Sequence, residues 1–433
     1  MKALICWVNF GLAILIAGQA GVAEVEGGPT NFGTEGQSTV FIISMDGIRP
    51  DYIDRSETRF LDELMETGAW SKAMAPVFPT LTFATHVSLA TGVKTDVHGV
   101  TGNSFYDSRL QQRFSYPGDS SLLEAEPIWT TAERQGVRTL VLDWVLAHQQ
   151  TGPHTTAYFG EEYARGLSDE ERISRVLEKW EADTAEDPLR LVMAYGESPD
   201  KEGHRYGPNA PELMETMKTV DQLLARVHEQ VMELWQRRAG ENDSLFFILV
   251  SDHGMSDVRY VANLANLAGL NPESEELFTL VTGGNVGHIF LDLIPADQLT
   301  SLIPGIMRNL SQYDFLRAFR REALPPEWGF KHPYRTGDIV VVLDNEHTWS
   351  RRPAEGRVPW AGDFGPRGMH GWDPATNSEM NTVFIAQRFP EPLNTGDLGA
   401  FSSLRVHATL AKLLEIEPAE AALNEPLELL VEE

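Results

Sequence analysis

Three apolar stretches of the chain run into carboxylates. Asp46 closes "FIISM", Asp200 follows "LVMAYGESP", and Asp252 with His253 follows "FFILVS". His204 stands four residues after Asp200 in "DKEGH", and His370 sits in the Gly-rich turn "RGMHGWD". If these positions meet in space, three carboxylates and three imidazoles form a divalent-cation set. Mixed Asp and His ligands favour zinc or a similar borderline ion over calcium or magnesium, which prefer oxygen alone. Six ligands divide into two sets of three, each leaving a position open for substrate. Taken singly, each residue has an ordinary explanation: a strand-end Asp is commonly a turn or cap residue, and a lone loop histidine bonds solvent or backbone. The joint pattern points to metal. His86, His98 and His288 fit no such pattern and read as structural, and Asp107 and Asp221 read as turn or helix-surface carboxylates.

The stretch "FPTLTFATHVSLATG", residues 78–92, supplies a hydroxyl. It reads as the start of a helix that ends at Gly92, a plausible left-handed C′ residue. Thr82 would then lie in the first turn, where backbone N–H groups and the positive end of the helix dipole face an approaching anion. The plainer reading makes Thr80 or Thr82 an N-cap. An aliphatic hydroxyl is a poor nucleophile near neutral pH, and the stretch holds no obvious base. Coordination to a dication would lower its pKa and generate the alkoxide.

These residues need a scaffold that brings distant segments to one edge. "TVFIISMDG" is followed by the helical pattern "TRFLDELMETGA", and the rhythm recurs. "RTLVLDW" at 138–144, "LRLVMAYGESPD" at 189–200, "SLFFILVSDHG" at 244–254 and "NTVFIAQ" at 381–387 read as buried strands. Amphipathic helices are expected at Pro211–Arg237 and Ser403–Ile416. Continuous apolar strands alternating with helices predict an α/β fold, a mostly parallel central sheet with helices on both faces. Ligands bind beyond the carboxyl ends of such strands, where the three carboxylates fall. Residues 255–365 break the rhythm with scattered Pro and Gly. The strand-like runs "VGHIFLDL" and "DIVVVLD" and a helix near Leu302–Asn309 predict a smaller inserted cap subdomain there.

At this point the set resembles the nucleotide pyrophosphatase/phosphodiesterase family of the alkaline phosphatase superfamily, from Asp46 to about Pro390. The family's "PTxTF" motif appears here as "PTLTF", which implies Thr82 as nucleophile. The resemblance implies two Zn2+ per chain, one held by Asp46, Asp252 and His253 and contacting Thr82, the other by Asp200, His204 and His370. Asn103, in "VTGNSFYD", matches an asparagine that bonds a non-bridging phosphate oxygen, and Phe83 and Tyr195 match aromatics that sandwich a base. Core packing is the alternative for either ring. The implied activity is hydrolysis of phosphate diesters or phosphoanhydrides through a phospho-threonine intermediate, with a small-molecule diester or nucleotide as substrate. Departures occur at Ala84 and Thr85, where members commonly read "TFPNH", and at "GMHGWD" in place of "GTHGYD". The disulfide-rich accessory domains of animal relatives have no counterpart here, so the resemblance is to a bacterial, free-standing catalytic domain.

The remaining composition narrows partners and compartment. A formal net charge of −28 repels polyanions, so nucleic-acid polymers and anionic membranes are poor partners away from a local cation. The N-terminal segment carries Lys2, an apolar run from Ala3 to Ala17 and small residues near Ala20 and Ala23. It reads as a signal peptide over 1–23, followed by a linker over 24–38 and a catalytic domain over 39–433. An uncleaved anchor is the alternative. Export to the periplasm or exterior is expected, with no membrane span left in the mature chain. The lone cysteine, Cys6, falls in that segment, which also argues against a sulfatase that converts a cysteine. Two rivals remain: a phosphomonoesterase or phosphonate hydrolase with the same metals, and a metal-binding envelope protein without turnover.

Overall fold

A computed structural model describes residues 36–271, 277–352, 355–359 and 366–429. The expected signal peptide and nearly all of the linker lie outside the described residues, as do parts of the expected insertion.

The central sheet forms because its strands alternate apolar side chains that are buried on both faces. In the strand Ser38–Met45, Val40 and Ile42 enter one core, while Phe41, Ile43 and Met45 enter the other. Ser244–Val250 divides the same way, with Phe246 and Ile248 on the first side and Phe247 and Leu249 on the second. Helices must therefore cover both faces. On the first face lie Thr82–Thr91 and Arg405–Leu413. On the second lie Arg59–Thr67, Asp169–Ala182 and the long Pro211–Gln236.

The sheet has eight strands. Ser38–Met45 runs parallel to both Ser244–Val250 and Leu191–Gly196, and Leu191–Gly196 pairs parallel with Thr139–Val141. Thr382–Phe389, by contrast, runs antiparallel to Ser244–Val250 and to Ala69–Ala75. The sheet is mostly parallel as expected, with one reversed strand. Ala69–Ala75, "AWSKAMA", carries no apolar run and was not legible as a strand. Its backbone is fixed by neighbours on both sides, including the short strands Gly396–Asp397 and Phe401–Ser402. Asp46, Gly196 and Ser251 leave the sheet at one edge, in register: Ser44 is opposite both Tyr195 and Val250.

The expected subdomain strands form a separate four-stranded antiparallel sheet, in the order Thr279–Gly283, Val286–Phe290, Ile339–Leu343, Leu316–Arg320. The helix Ala296–Leu310 packs on it through Ile306 and Leu310, longer than the sequence suggested and with Pro304 inside. A buried polar clamp joins it to the main body. Arg335 pairs with Asp107 at 3.1 Å and Glu124 at 3.2 Å, and donates to the carbonyls of Gly99 and Leu122. Asp107 is a turn residue as expected, its Oδ1 accepting the N–H groups of Arg109 and Leu110 at 3.0 and 3.1 Å, but it is buried, and its other oxygen is an ion-pair partner. Among the described residues, no helix is long and apolar enough to cross a membrane.

Asp221 also departs from expectation. It is buried on the long helix, and its two carboxylate oxygens accept the N–H groups of Phe60 and Leu61 at 3.2 and 2.9 Å. It caps the neighbouring Arg59–Thr67 helix, whose own Thr58 makes no side-chain cap bond. Replacing Asp221 with Ala leaves two helix-end donors without that acceptor. Urea unfolding of Asp221→Ala is expected to show a loss of about 1–3 kcal/mol at unchanged denaturant slope.

Candidate metal centre and nucleophile

The loops after three strands deliver the carboxylates. Asp46 follows Ser38–Met45 directly, and the turn onward is built on Gly47, whose φ is +79°. A Cβ on Gly47 would lie 2.9 Å from Asp200 Cα, so the absence of a side chain lets two ligand-bearing segments touch. Asp200 N–H donates to Asp46 O at 3.0 Å, and Gly47 N–H donates to Asp252 Oδ1 at 3.1 Å. Asp200 opens the short helix Asp200–Tyr206, which places His204 one turn on and on the same face.

The structure brings all six expected ligands together. His204 Nε2 and His370 Nε2 lie 3.3 and 3.6 Å from Asp200 Oδ1. His253 Nε2 lies 3.3 Å from Asp46 Oδ1 and 3.2 Å from Asp252 Oδ2. The rings of His253 and His370 stack at 3.5 Å between centroids. Two triads have ligand atoms all within 4.8 Å of one another: Asp200, His204 and His370, and Asp46, Asp200 and His253. The second includes Asp200 where the resemblance implied Asp252, so Asp200 stands between the two halves while Asp252 reaches His253 from the far side.

Each imidazole is fixed through its other nitrogen. His204, His253 and His370 direct Nδ1 at the carbonyls of Gly368, Gly254 and Thr80, at 2.8, 3.0 and 2.7 Å. A carbonyl only accepts, so Nδ1 carries a proton and Nε2 is the atom facing the cluster, a lone-pair donor whenever the ring is neutral. On the carboxylates, Asp46 Oδ1, Asp200 Oδ1 and Asp252 Oδ2 are buried without a hydrogen-bond donor. Orphaned carboxylate oxygens and bare Nε2 atoms turned toward one another are the donor set that a dication satisfies.

The electrostatics agree. Burial, then the neighbouring carboxylates Asp252 and Asp200, push Asp46 well above the usual carboxylate range. Burial likewise pushes Asp252 up to about 8. Burial opposes charge on Asp200 too, but His204 and His370 overcome it and hold the carboxyl below its ordinary value. For His204 the Asp200 carboxylate outweighs burial and raises it to about 9. Burial pulls His370 down to about 4 and His253 well below its ordinary value. Without cations, such a site holds protons in their place.

Thr82 is the first residue of its helix, with Leu81 at the N-cap position and Gly92 as the left-handed terminator at φ +69°. Its hydroxyl is unused for capping and lies 3.3 Å from His253 Nε2. Thr80, the other candidate, is buried: its Oγ1 donates to Trp372 O and accepts from Gly371 N–H, both at 2.9 Å. Asn103 Oδ1 accepts the Phe83 N–H at 2.9 Å, which turns its NH2 group outward as a donor. Phe83 is half-buried, with the exposed Tyr116 edge-on to it at 5.6 Å.

One expectation, for Tyr195, is corrected here. Tyr195 does not line a cleft: it is 6% exposed, its hydroxyl donates to Asp46 Oδ2 at 2.6 Å, and its ring meets His86 edge-on at 5.2 Å. Its register in the parallel sheet turns it under the site, where it orients Asp46 instead of stacking a base. His86, read as structural, is a support of the site. Its Nδ1 bonds Thr82 O at 2.9 Å and lies 3.3 Å from Asp252 Oδ2, while Ser44 bonds Nε2 at 2.9 Å. Its spacing from Thr82, one helical turn, was the available clue. His98 and His288 are buried with structural partners, the hydroxyl of Ser88 and the Gly337 N–H.

A mixed sheet covered on both faces, carrying at its carboxyl edge a buried Asp and His set around a helix-start threonine, defines an alkaline phosphatase-like protein with a candidate divalent-metal centre. Residues 40–373 match the family model described as type I phosphodiesterase / nucleotide pyrophosphatase. The chain belongs to that family. Venom phosphodiesterase 2 of Crotalus adamanteus is 26% identical over 88% of this chain and 46% of the relative. Human ectonucleotide pyrophosphatase/phosphodiesterase family member 5 is 26% identical over 88% of this chain and 75% of the relative. The chain thus spans about half the length of the venom relative. Murine ectonucleotide pyrophosphatase/phosphodiesterase 5 superposes with a TM-score of 0.73 at 26% identity, covering 90% of this chain and 97% of the other. An inactive variant of the same murine protein, solved in complex with AMP, gives 0.72 at 27% identity with the same coverage.

The titrations give a signed expectation. Ligands must be deprotonated to bind metal, and in the metal-free chain Asp252 and His204 keep their protons up to about pH 8 and 9. His253 and His370, shifted down, are already neutral at pH 7. Zinc uptake at pH 7 should release protons, and apparent affinity should rise between pH 7 and 9, by up to roughly tenfold per unit for each proton displaced. Calorimetric titration in buffers of different ionisation enthalpy reads both. Uptake without proton release would contradict the assignment of His204 as a ligand.

Proposed function

We propose that the protein is a two-zinc phosphodiesterase/nucleotide pyrophosphatase that hydrolyses phosphate diesters or phosphoanhydrides through Thr82. The observation that carries this is the convergence of three orphaned carboxylate oxygens and three Nε2 atoms beside a hydroxyl that makes no cap bond. A storage site would need the ligands but not the threonine. Asp46, Asp252 and His253 are assigned to one ion and Asp200, His204 and His370 to the other, with Asp200 close enough to serve both. When bound, the ions lower the pKa of the Thr82 hydroxyl and neutralise charge on the phosphate.

The chain's own residues then do the following. Thr82 Oγ attacks phosphorus in line while its proton passes through solvent to the leaving oxygen; the Oγ–P bond forms as the bond to that oxygen breaks, and the alcohol departs. Asn103, its Oδ1 tied to Phe83 N–H, directs Nδ2 at a non-bridging oxygen, where charge grows in the transition state. Water then attacks phosphorus from the vacated side. The Oγ–P bond breaks and a monoester leaves, with Thr82 restored. Phe83, beside the nucleophile, is the assigned contact for a planar group such as a base. A nucleotide substrate is supported by the murine neighbour's complex with AMP. Ala84 and Thr85 are both buried within the helix, so these departures from the "TFPNH" pattern act on packing behind Thr82. We further assign residues 1–23 to an export signal, residues 39–433 to the catalytic domain and residues 255–365 to its inserted subdomain.

Thr82→Ala is expected to abolish hydrolysis of bis-p-nitrophenyl phosphate while zinc stays near two per chain by elemental analysis. Retained turnover would remove Thr82 as nucleophile. Wild-type protein should prefer that diester to p-nitrophenyl phosphate, and the opposite preference would favour a phosphomonoesterase on the same metals.

A further inference from the structure

The antiparallel sheet of residues 279–343 meets the metal centre at a hairpin turn. This turn, from Gly283 to Val286, presses on the loop that carries His370. A Cβ on Gly284, at φ +55°, would lie 2.2 Å from His370 O and 2.9 Å from Leu81 Cδ2. From the other side, Gly371, at φ +128°, would place a Cβ 2.9 Å from Asn285 Oδ1 and 3.2 Å from Asn285 N. At Gly284 the nearest atom is a backbone oxygen, which cannot swing aside as the end of a flexible side chain can. The Leu81 side chain fills the remaining angle: its methyl groups lie 3.2, 3.4 and 3.3 Å from where Gly102, Gly283 and Gly371 would carry a Cβ. Leu81 is the residue before Thr82, so one turn meets both the His370 loop and the side chain next to the proposed nucleophile.

The turn is braced from behind. Thr348 Oγ1 donates to Gly284 O at 2.7 Å. Asn285, wholly buried, donates through Nδ2 to Leu343 O at 3.0 Å and accepts the Leu343 N–H at 2.9 Å. The His370 loop is held on its opposite side by Thr80, whose carbonyl takes His370 Nδ1 and whose hydroxyl takes Gly371 N–H.

We infer that the Gly283–Val286 turn is a positioning element for the metal centre: it fixes the distance of His370 from Asp200 and His204, and so sets the affinity of that three-residue site. The inference rests on the two-metal reading above. Zinc ligand distances tolerate about 0.2 Å of displacement. A methyl group on Gly284 needs far more room than that, and the loop it would push is the one that ends in a ligand. The antiparallel subdomain then contributes to the site without donating a ligand to it.

Zinc titration against a competing chelator tests this, using the whole chain with Gly284→Ala, Thr348→Val and a control, Ile306→Ala, in the same subdomain's core. Wild type should bind two ions. Gly284→Ala should keep one and bind the other about 10–100-fold more weakly, and Thr348→Val should shift the same ion in the same direction by less. Ile306→Ala should lower Tm and leave both affinities unchanged. Wild-type affinities in Gly284→Ala, or an equal loss in Ile306→Ala, would overturn the inference while leaving the metal reading intact. Should Gly284→Ala fail to fold, Thr348→Val decides: weakened binding of one ion supports the inference, and unchanged binding rejects it. A wild-type chain that takes up no zinc sinks the metal reading itself.

Discussion

Asp46 and Asp252, both buried, and the partly exposed Asp200 lie within a few ångströms of one another and repel, and no lysine or arginine pairs with any of the three among the described residues. The only positive partners are imidazoles, and two of the three ligand imidazoles are driven neutral by burial. Such a cluster is stable in two ways: with protons taken up by Asp46, Asp252 and His204, or with dications in their place. The rest of the molecule is arranged around that constraint. The parallel strands supply carboxylates at one edge, and the helices on both faces bury enough apolar surface to carry an edge that is electrostatically unfavourable by itself.

What orients the cluster is a second set of residues with no claim to chemistry. Tyr195 holds one oxygen of Asp46 and so aims the other at His253. His86 links Ser44, the Thr82 carbonyl and the Asp252 side, tying the helix that starts at Thr82 to the end of the first strand. Thr80 does the same for the His370 loop. These contacts connect residues that are 42, 149 and 290 positions apart in the chain. Held this way, Asp46, Asp252 and the three imidazoles each turn a single atom to the centre, the arrangement by which an outer layer tunes a metal site.

Much of this was legible in the sequence because the strands are short, apolar and end abruptly. Asp46, Asp200 with His204, Asp252 with His253, and His370 stand out since nothing else ends those runs in charged or imidazole side chains, and Thr82 stands out by its place at a helix start. What was not legible depends on contacts between distant segments. Ala69–Ala75 is a strand because two neighbours pair with it, not because of its own pattern. Tyr195 was read as a cleft residue because spacing from Asp200 says nothing about which side of the strand faces solvent. Asp107 and Asp221 looked like surface groups because their partners, Arg335 and the Phe60 and Leu61 N–H groups, lie 228, 161 and 160 residues away.

A net charge of −28 opposes the approach of an anion such as the proposed substrate, and the site's construction resolves the conflict. Exposed charges more than about 8–10 Å away are screened at physiological ionic strength, whereas buried ligands and their ions interact in a medium of low polarity. In the two-zinc reading proposed above, two dications supply +4 against −4 from three carboxylates and one alkoxide, so the centre is near neutral and a phosphate there does not meet the net charge of the surface. The acidic exterior instead bears on larger partners: a polyanion spanning more than a few ångströms would touch it, while a single diester reaching the cleft would not. Under that reading the field of the surface would limit substrate size, and the cluster beneath it would determine the reaction.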